Sequence, residues 1–323
     1  MSELIPRLRS LGSTSAAMLT LAKGLFESGR HGEALEQIDL VLKDNPELAI
    51  AYFLKGLILA RLADFNGAGE CLETTVQYDP EFVGAWLGLV YVRVELGLID
   101  EALEAAKRGL KLDPKNANGH LLHGNVLTRL DRPEEAIEAY RQAVKFNPQL
   151  MMAHYRLGHL LDKQGRTDEA ISQLLVSQRL NPRDSMSRLT LGDILRSLGK
   201  IDEALDQYKV AAELAPLQGE AHVRIGDTFA ELGKRREAIA AYRIAIRRDA
   251  RQLRAFLCLS KMYIEEGCPS EALDMANAAI EIDARLNAAQ EALENATKDC
   301  EGLSKEELKS EFALEEPDES SIE

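Results

Sequence analysis

Prolines recur along this chain at a fixed interval. Six of its ten prolines are spaced 34 residues apart, at Pro46, Pro80, Pro114, Pro148, Pro182 and Pro216. Because proline cannot continue a helix, each of these residues is expected just beyond a helix end. An interval of this length predicts a stack of helical hairpins, each of which buries its apolar face only against its neighbours.

Two further series share the interval and the phase of the prolines. One is an alanine series, at Ala34, Ala68, Ala102, Ala136, Ala170, Ala204, Ala238 and Ala272. The other is a glycine series, at Gly29, Gly97, Gly165, Gly199, Gly233 and Gly267, with Ala63 and Asp131 in the two remaining slots. Glycine readily adopts the left-handed backbone that ends a helix, so each unit is predicted to be helix, turn, helix, turn. Alanine inside the second helix lets the first helix approach closely.

A second glycine series falls inside the predicted first helices, at Gly56, Gly124, Gly158, Gly192 and Gly226. Glycine at such a position costs about 1 kcal/mol relative to alanine, so close packing is expected there. With these motifs the chain resembles the tetratricopeptide repeat family, whose pattern is W-x2-L-G-x2-Y, then A-x3-F, then P. The fourth unit matches this pattern at His120, His123, Gly124, Ala136, Tyr140 and Pro148, and Trp86 occupies the tryptophan slot of the third unit.

The resemblance implies an all-α, right-handed superhelical solenoid of about eight 34-residue helix-turn-helix repeats. The expected organisation is an N-terminal segment 1–14, repeats 15–286, a capping helix 287–300 and an acidic tail 301–323. The cap is indicated by apolar residues at helical spacing, Leu286, Ala289, Leu293 and Ala296. The tail carries nine acidic residues and two lysines, and is expected to be mostly disordered.

Motifs of catalysis and cofactor binding are absent from the sequence. It contains no phosphate-binding loop, no nucleophile elbow, no zinc-protease motif and no dinucleotide-binding glycine motif, so neither an enzyme nor a cofactor is predicted. The four cysteines, Cys71, Cys258, Cys268 and Cys300, lack paired spacing and predict neither a zinc site nor a disulfide framework. His120, His154 and His222 fall in the same repeat slot as Trp86, which favours a packing role over metal binding.

The apolar stretches of the chain are short. None reaches the ~20 residues needed to cross a bilayer. The mildly apolar segment 11–22 is interrupted by Gly12, Ser13, Thr14 and Ser15 and runs into the first repeat, so a signal peptide is not expected. These features predict a cytoplasmic protein, or one at the inner face of a bacterial membrane.

The family builds the concave wall of its solenoid from the first helix of every repeat, so the resemblance implies a binding groove there. Its apolar end is predicted to contain Ile50, Phe53, Leu57, Leu87, Tyr91 and Val94. Its mixed end is predicted to contain Asn125, Arg129, Met152, Tyr155, His159, Lys163, Met186, Asp193 and Arg196. An apolar groove favours a peptide or partner protein as ligand, and hence a protein-binding scaffold. Packing between adjacent first helices is the alternative for any single residue.

Two other functions remain open: a scaffold that self-associates, and a non-catalytic subunit of an enzyme complex. Two groove chemistries known in the family lose support. The clamp for a carboxyl terminus needs lysine and asparagine four residues apart in one first helix, where this chain has pairs such as Phe53 with Leu57. An asparagine ladder would need asparagine where the chain has residues such as Leu54 and Arg156.

One repeat is locally basic, with Lys234, Arg235, Arg236, Arg243, Arg247, Arg248, Arg251 and Arg254 against two acidic residues. Nucleic acid is not the expected partner, because the chain has a net charge of −14 and only Tyr242 interleaves with these cations. The acidic tail is a candidate to screen this basic patch. Alternatively, an amphipathic helix around Leu308 and Phe312 docks in the groove, in which case deleting 301–323 tightens peptide binding.

Overall fold

The computed structural model describes residues 13–283, 290–292 and 294–295. Across those residues the chain is all-α, with sixteen helices arranged as pairs and no strand. The first helices of the pairs are α1 (Ser13–Glu27), α3 (Ala49–Arg61), α5 (Val83–Glu95), α7 (Ala117–Arg129), α9 (Met151–Lys163), α11 (Ser185–Ser197), α13 (Glu220–Glu231) and α15 (Leu253–Glu265). The second helices are α2 (His31–Asp44), α4 (Phe65–Tyr78), α6 (Ile99–Leu112), α8 (Pro133–Phe146), α10 (Thr167–Leu180), α12 (Ile201–Leu214), α14 (Arg235–Arg248) and α16 (Pro269–Ile282).

The proline series marks the helix ends as predicted. Helix α2 ends at Asp44, two residues before Pro46, and the same distance separates each later proline from the end of its second helix. The eight repeats are therefore confirmed as helix pairs. Of the predicted N-terminal segment, residues 1–12 lie outside the described part, whereas Ser13 and Thr14 already belong to α1; the tail also lies outside the described part. Of the proposed capping helix, only 290–292 and 294–295 are described, and these are helical.

The chain divides into two compact units, Met1–Gln164 and Gly165–Glu323. Helices α1–α9 belong to the first unit, and α10–α16 belong to the second. Within each unit every helix packs against the next one along the chain. In the first unit α1, α3, α5 and α7 also contact one another in succession, and in the second unit α11 contacts α13. These contacts place first helices side by side and form what we call the first-helix face of each unit.

The alanine series lies on the buried side of the second helices. All eight alanines have no exposed surface, which confirms their predicted packing role. Close packing also explains the glycines inside the first helices. A Cβ atom on Gly192 would lie 2.4 Å from Cε1 of Tyr208, and Gly124 and Gly226 face Tyr140 and Tyr242 in the same way. Glycine is thus required opposite each buried tyrosine ring.

The turns between paired helices have the predicted left-handed backbone. All six glycines of the turn series have positive φ, between 70° and 81°. Ala63 and Asp131, which fill the remaining slots, also have positive φ, at 61° and 54°. A left-handed backbone is costly for a residue with a Cβ atom, so tertiary packing holds these two residues in an unfavourable conformation.

We expect Ala63→Gly to raise the free energy of unfolding by about 1 kcal/mol, because it removes the Cβ strain at positive φ. Urea denaturation monitored by circular dichroism measures the change. The matched control is Ala60→Gly in α3, where φ is helical and a loss of about 1 kcal/mol is expected. Loss of stability in both variants would contradict the assigned strain.

Candidate partner-binding surface

An apolar strip lies on the first-helix face of the first unit. It consists of Leu57 in α3 and of Leu87, Tyr91 and Val94 in α5, two helices that contact each other. The Tyr91 side chain is 46% exposed, and the other three residues are half-buried. The strip therefore combines an accessible aromatic ring with partly covered aliphatic side chains, as expected of a surface that binds an apolar side chain of a partner.

Three residues predicted for the groove are buried instead. Ile50 is 3% exposed, Phe53 5% and Tyr155 9%. The ring centroid of Phe53 lies 4.5 Å from that of Phe82, the residue just before α5, so the two rings pack against each other. Because α3 contacts both α1 and α5, Ile50 and Phe53 lie among covered residues of neighbouring first helices. These three residues act in packing, the alternative that the sequence left open.

Phe65 belongs to the candidate surface but was missed by the sequence reasoning. It begins α4, is half-buried, and its ring lies edge-on to Tyr91 with centroids 6.1 Å apart. Aromatic pairs in this geometry contribute about 0.5–1.5 kcal/mol beyond their burial, so Phe65 fixes the orientation of the exposed Tyr91 ring. The available signal was an aromatic residue at the start of a second helix, immediately after the turn.

The mixed end in the first unit has exposed charges. Arg129 at the end of α7 and Lys163 at the end of α9 are exposed, as is Met152 at 40%, while His159 is half-buried. Asn125 has an internal role, because its Oδ1 accepts a hydrogen bond from the Tyr140 hydroxyl at 2.9 Å. Four of these predicted residues are thus accessible to a partner, while Asn125 is engaged within its own repeat.

The predicted residues of the second unit are largely engaged with each other. Met186 is 49% exposed, but Asp193 accepts hydrogen bonds from the Tyr208 hydroxyl at 2.7 Å and from Arg224 Nε at 2.9 Å. Arg196 pairs with Glu231 at 3.0 Å. Asp193 and Arg196, both predicted for the groove, therefore connect α11 to α13 through ion pairs.

The seventh repeat has the same arrangement. The Tyr242 hydroxyl donates to Asp227 Oδ1 at 2.8 Å, and Arg254 from α15 pairs with Asp227 at 2.9 Å. Burial, together with the charge and hydrogen bond of Asp193, raises the pKa of Tyr208 well above its ordinary value. Burial also raises the pKa of Tyr242, with further contributions from Cys258 and Asp227. The tyrosines therefore remain neutral donors, and the carboxylates are fixed acceptors.

The repeat slot of Trp86 has one structural role. The Trp86 indole Nε1 donates to the Pro80 carbonyl oxygen at 2.8 Å, and Nε2 of His120 and of His154 lies 2.9 Å and 3.1 Å from the carbonyl oxygens of Pro114 and Pro148. Arg188 makes the same bond to Pro182 at 3.3 Å. Each of these four side chains ties a first helix to the proline turn before it, which supports a structural role for His120 and His154.

The basic patch is partly neutralised within the second unit. Arg235 pairs with Glu265 at 2.5 Å, Arg254 pairs with Asp227, and Arg243 Nε donates to the Tyr263 hydroxyl at 2.9 Å. Lys234, Arg236, Arg247, Arg248 and Arg251 are exposed. The eight cations therefore do not form one uniform surface, since three of them join α14 and α15 to neighbouring elements.

The described residues contain neither a metal site nor a membrane span. No group of three or more His, Cys, Asp or Glu side chains is placed there to hold a metal ion. Cys71, Cys258 and Cys268 are free thiols, and Cys300 lies outside this part of the chain. Within the same ranges no helix combines the length and apolarity required of a membrane span.

The helix pairs and the packing of the first helices define a helical repeat protein. Residues 19–70, 155–219 and 223–287, more than half of the chain, match the tetratricopeptide repeat family, and 59–126 and 124–165 match further descriptions of the same repeat. The chain belongs to the tetratricopeptide repeat family.

Individual relatives match over parts of the chain. Tetratricopeptide repeat protein 33 of Xenopus laevis is 35% identical over 28% of this chain and 36% of its own length. The TPR repeat-containing protein MJ0940 of Methanocaldococcus jannaschii is 36% identical over 35% of this chain and 37% of its own length. The chain thus spans only about a third of these curated relatives. In the Cut9–Hcn1 hetero-tetramer of the APC/C, a chain 19% identical shares the fold, with a TM-score of 0.60 over 90% of this chain and 57% of that one.

Proposed function

We propose that this protein is a scaffold whose first unit holds a peptide or a segment of a partner protein on its first-helix face. The apolar strip carries the proposal, since its exposed Tyr91 ring is oriented by Phe65 and flanked by half-buried Leu57, Leu87 and Val94. Oriented aromatic residues in apolar surroundings are the side chains that dominate binding energy in protein interfaces.

The two units differ in what their first helices offer a partner. In the second unit the polar side chains of α11, α13 and α15 are connected to one another by ion pairs. Such pairs favour the packing of repeats and leave fewer unsatisfied groups for a ligand. In the first unit the apolar strip has no comparable network among its own residues. This difference supports placing the proposed site in the first unit.

Repeats of this family are generally non-catalytic, and we propose a binding role without chemistry of its own. We also propose that the protein acts in the cytoplasm, where its partner assembles with it into a complex. Subcellular fractionation of tagged full-length protein tests the compartment, and recovery in a secreted fraction would contradict it.

We expect Tyr91→Ala to weaken partner binding about 30-fold, because truncating a central aromatic contact costs on the order of 2 kcal/mol. Affinity purification with mass spectrometry identifies the partner, and isothermal titration calorimetry then measures its affinity for each variant. The matched control is Tyr78→Ala in α4, which removes a tyrosine of the same 46% exposure from a second helix.

The outcomes separate the alternatives. Loss of the partner from Tyr91→Ala but not from Tyr78→Ala supports the proposed site. Equal retention in both variants would place binding elsewhere. Light scattering over a range of concentrations identifies self-association, and co-purification of a catalytic polypeptide identifies an accessory subunit. Circular dichroism must first show that both variants are as helical as the wild type.

A further inference from the structure

The fifth and seventh repeats carry an arginine at the same repeat position. Arg156 lies in α9 and Arg224 lies in α13, two repeat lengths apart. Arg224 is held by two carboxylates: its Nε lies 2.9 Å from Asp193, and its Nη1 contacts Glu220 one turn earlier in the same helix. Only 26% of its side chain is exposed. The charge of Arg224 is therefore satisfied within the second unit.

Both carboxylates are replaced by neutral residues around Arg156. The residue equivalent to Asp193 is Asn125, and the residue equivalent to Glu220 is Met152. Arg156 is exposed and lies against the Tyr155 ring, with its Cζ 5.8 Å from the ring centroid. No carboxylate among the described residues forms an ion pair or hydrogen bond with it. Arg156 is thus an exposed guanidinium at the repeat position where Arg224 is paired with two carboxylates.

Arg156 has the same relation to Tyr140, in the repeat before it, as Arg224 has to Tyr208. Burial raises the pKa of the Tyr140 hydroxyl, and the nearby positive charge of Arg156 opposes that rise. The charge of Arg224 acts on Tyr208 in the same direction. Tyr140 donates to Asn125 as Tyr208 donates to Asp193. The two sites therefore share the tyrosine and the arginine, but the first has neutral residues in place of both carboxylates, and its tyrosine also hydrogen-bonds the Thr128 hydroxyl at 3.0 Å.

The surroundings of Arg156 form an exposed stripe along α9. Met152, Arg156, His159 and Lys163 follow at intervals of four, three and four residues, which places them on one side of a helix. Met152, Arg156 and Lys163 are exposed, and His159 is half-buried. Asp162, the acidic residue closest along the helix, is half-buried and already has an interaction partner. The stripe therefore offers two cations and one flexible apolar side chain.

We propose that Arg156 binds a carboxylate in an acidic segment of a partner protein, with Met152 as the adjoining apolar contact and Lys163 as a second cation. The inference rests on the proposed function, because it names the chemistry of the segment held by the first unit. Guanidinium is weakly hydrated and matches a carboxylate with two parallel hydrogen bonds, so it suits this role better than an ammonium group. Charge complementarity selects the partner.

The decisive variant is Asn125→Asp. It places a carboxylate at the repeat position of Asp193, so Arg156 gains a partner within the protein. The new side chain still accepts a hydrogen bond from the Tyr140 hydroxyl. A random peptide library displayed on phage is selected on the full-length wild type and on this variant. The wild type is expected to enrich peptides rich in Asp and Glu. The variant is expected to lose that bias and to bind a wild-type-selected acidic peptide about tenfold more weakly.

Two substitutions complete the design. Arg156→Gln removes the guanidinium and should weaken binding of the same acidic peptide about tenfold. Arg254→Gln removes a cation with a 66% exposed side chain from the second unit and should leave its affinity unchanged. Fluorescence anisotropy of the labelled peptide measures all four proteins, and raising the salt concentration should reduce the difference between them.

Each other result overturns the inference in a recognisable way. Two outcomes would exclude the role of Arg156 and leave the proposed function intact. In the first, the selected peptides need Tyr91 for binding but show no acidic bias. In the second, they bind Asn125→Asp as tightly as wild type. Selection that yields no Tyr91-dependent peptide would contradict the proposed function and this inference together. A mass that grows with concentration in wild type but not in Arg156→Gln would show that a second copy, rather than a different protein, supplies the carboxylate.

Discussion

Gly192→Val is expected to lower the free energy of unfolding by about 3 kcal/mol, the upper part of the range for overfilling a packed core. A Cβ atom alone would lie 2.4 Å from Cε1 and 2.8 Å from Cδ1 of Tyr208, whose side chain has no exposed surface. The ring has no free volume to move into, and moving it would also break its hydrogen bond to Asp193. Urea denaturation measures the loss, and hydrogen exchange of α11 and α12 localises it.

A control and a rescue make this prediction specific. Gly24 lies in α1 with no atom within 4 Å of a Cβ position, so Gly24→Val should be neutral or slightly stabilising. The third repeat has Val90 and Ala106 at the positions of Gly192 and Tyr208. Gly192→Val combined with Tyr208→Ala copies that pair and should recover part of the stability. A double variant less stable than either single variant would refute steric conflict as the cause.

Asp227→Ala is expected to cost about 2–3 kcal/mol of stability, the second largest effect. The carboxylate is 7% exposed, accepts from the Tyr242 hydroxyl at 2.8 Å and pairs with Arg254. Its removal takes the strong acceptor from a buried hydroxyl and leaves that hydroxyl only the weaker contact with the Cys258 thiol. The Arg254 side chain is 66% exposed, so water solvates its charge once Asp227 is removed. The loss of stability is therefore smaller than that for breaking a fully buried ion pair.

Milder substitutions at the same site should give a graded series. Asp227→Asn should be much less harmful, since Asn125 accepts from Tyr140 in an equivalent position. Arg254→Gln should cost less than 1 kcal/mol, as expected of an exposed pair. A double-mutant cycle of Asp227→Ala with Tyr242→Phe isolates the hydrogen bond. Equal losses for Asp227→Asn and Asp227→Ala would show that charge, and not the acceptor, is what matters.

These two sites explain how the second unit uses its first helices. Tyr208 and Tyr242 reach past glycine in the first helix and fix an acid on the first-helix face, and an arginine from the next first helix closes the network. The fourth repeat has the tyrosine and the glycine, but it carries Asn125 in place of the acid. The same repeat positions therefore form a packing network in the second unit, whereas in the first unit they leave Arg156 exposed.

The repeat fold was predictable because it depends on local and periodic constraints. Proline must lie outside a helix, glycine relieves a left-handed turn, and a buried alanine allows two helices to touch, so each constraint recurs wherever the repeat does. The role of the Trp86 slot was predictable for the same reason. Its different side chains reach the carbonyl of the proline six residues earlier, a distance fixed within one repeat.

The candidate surface was only partly predictable. Repeat position indicated which residues of a first helix turn toward the groove, and it selected Leu57, Leu87, Tyr91 and Val94 as accessible or half-buried residues. It also placed Phe53 in the groove, at the repeat position of Leu87, although the Phe53 ring is buried against Phe82. It also missed Phe65, which belongs to a second helix and reaches Tyr91 only across the junction between repeats.

The sequence by itself determined that the repeats are helix pairs, that each proline of the series follows the end of a second helix, and which small residues are buried within the pairs. The tertiary structure decided which side chains of the first helices remain accessible and which charges are paired. The physical reason is distance along the chain. Helix ends depend on residues within one repeat, whereas the exposure of Tyr91 and the pairing of Arg224 with Asp193, 31 residues away, depend on how neighbouring repeats pack.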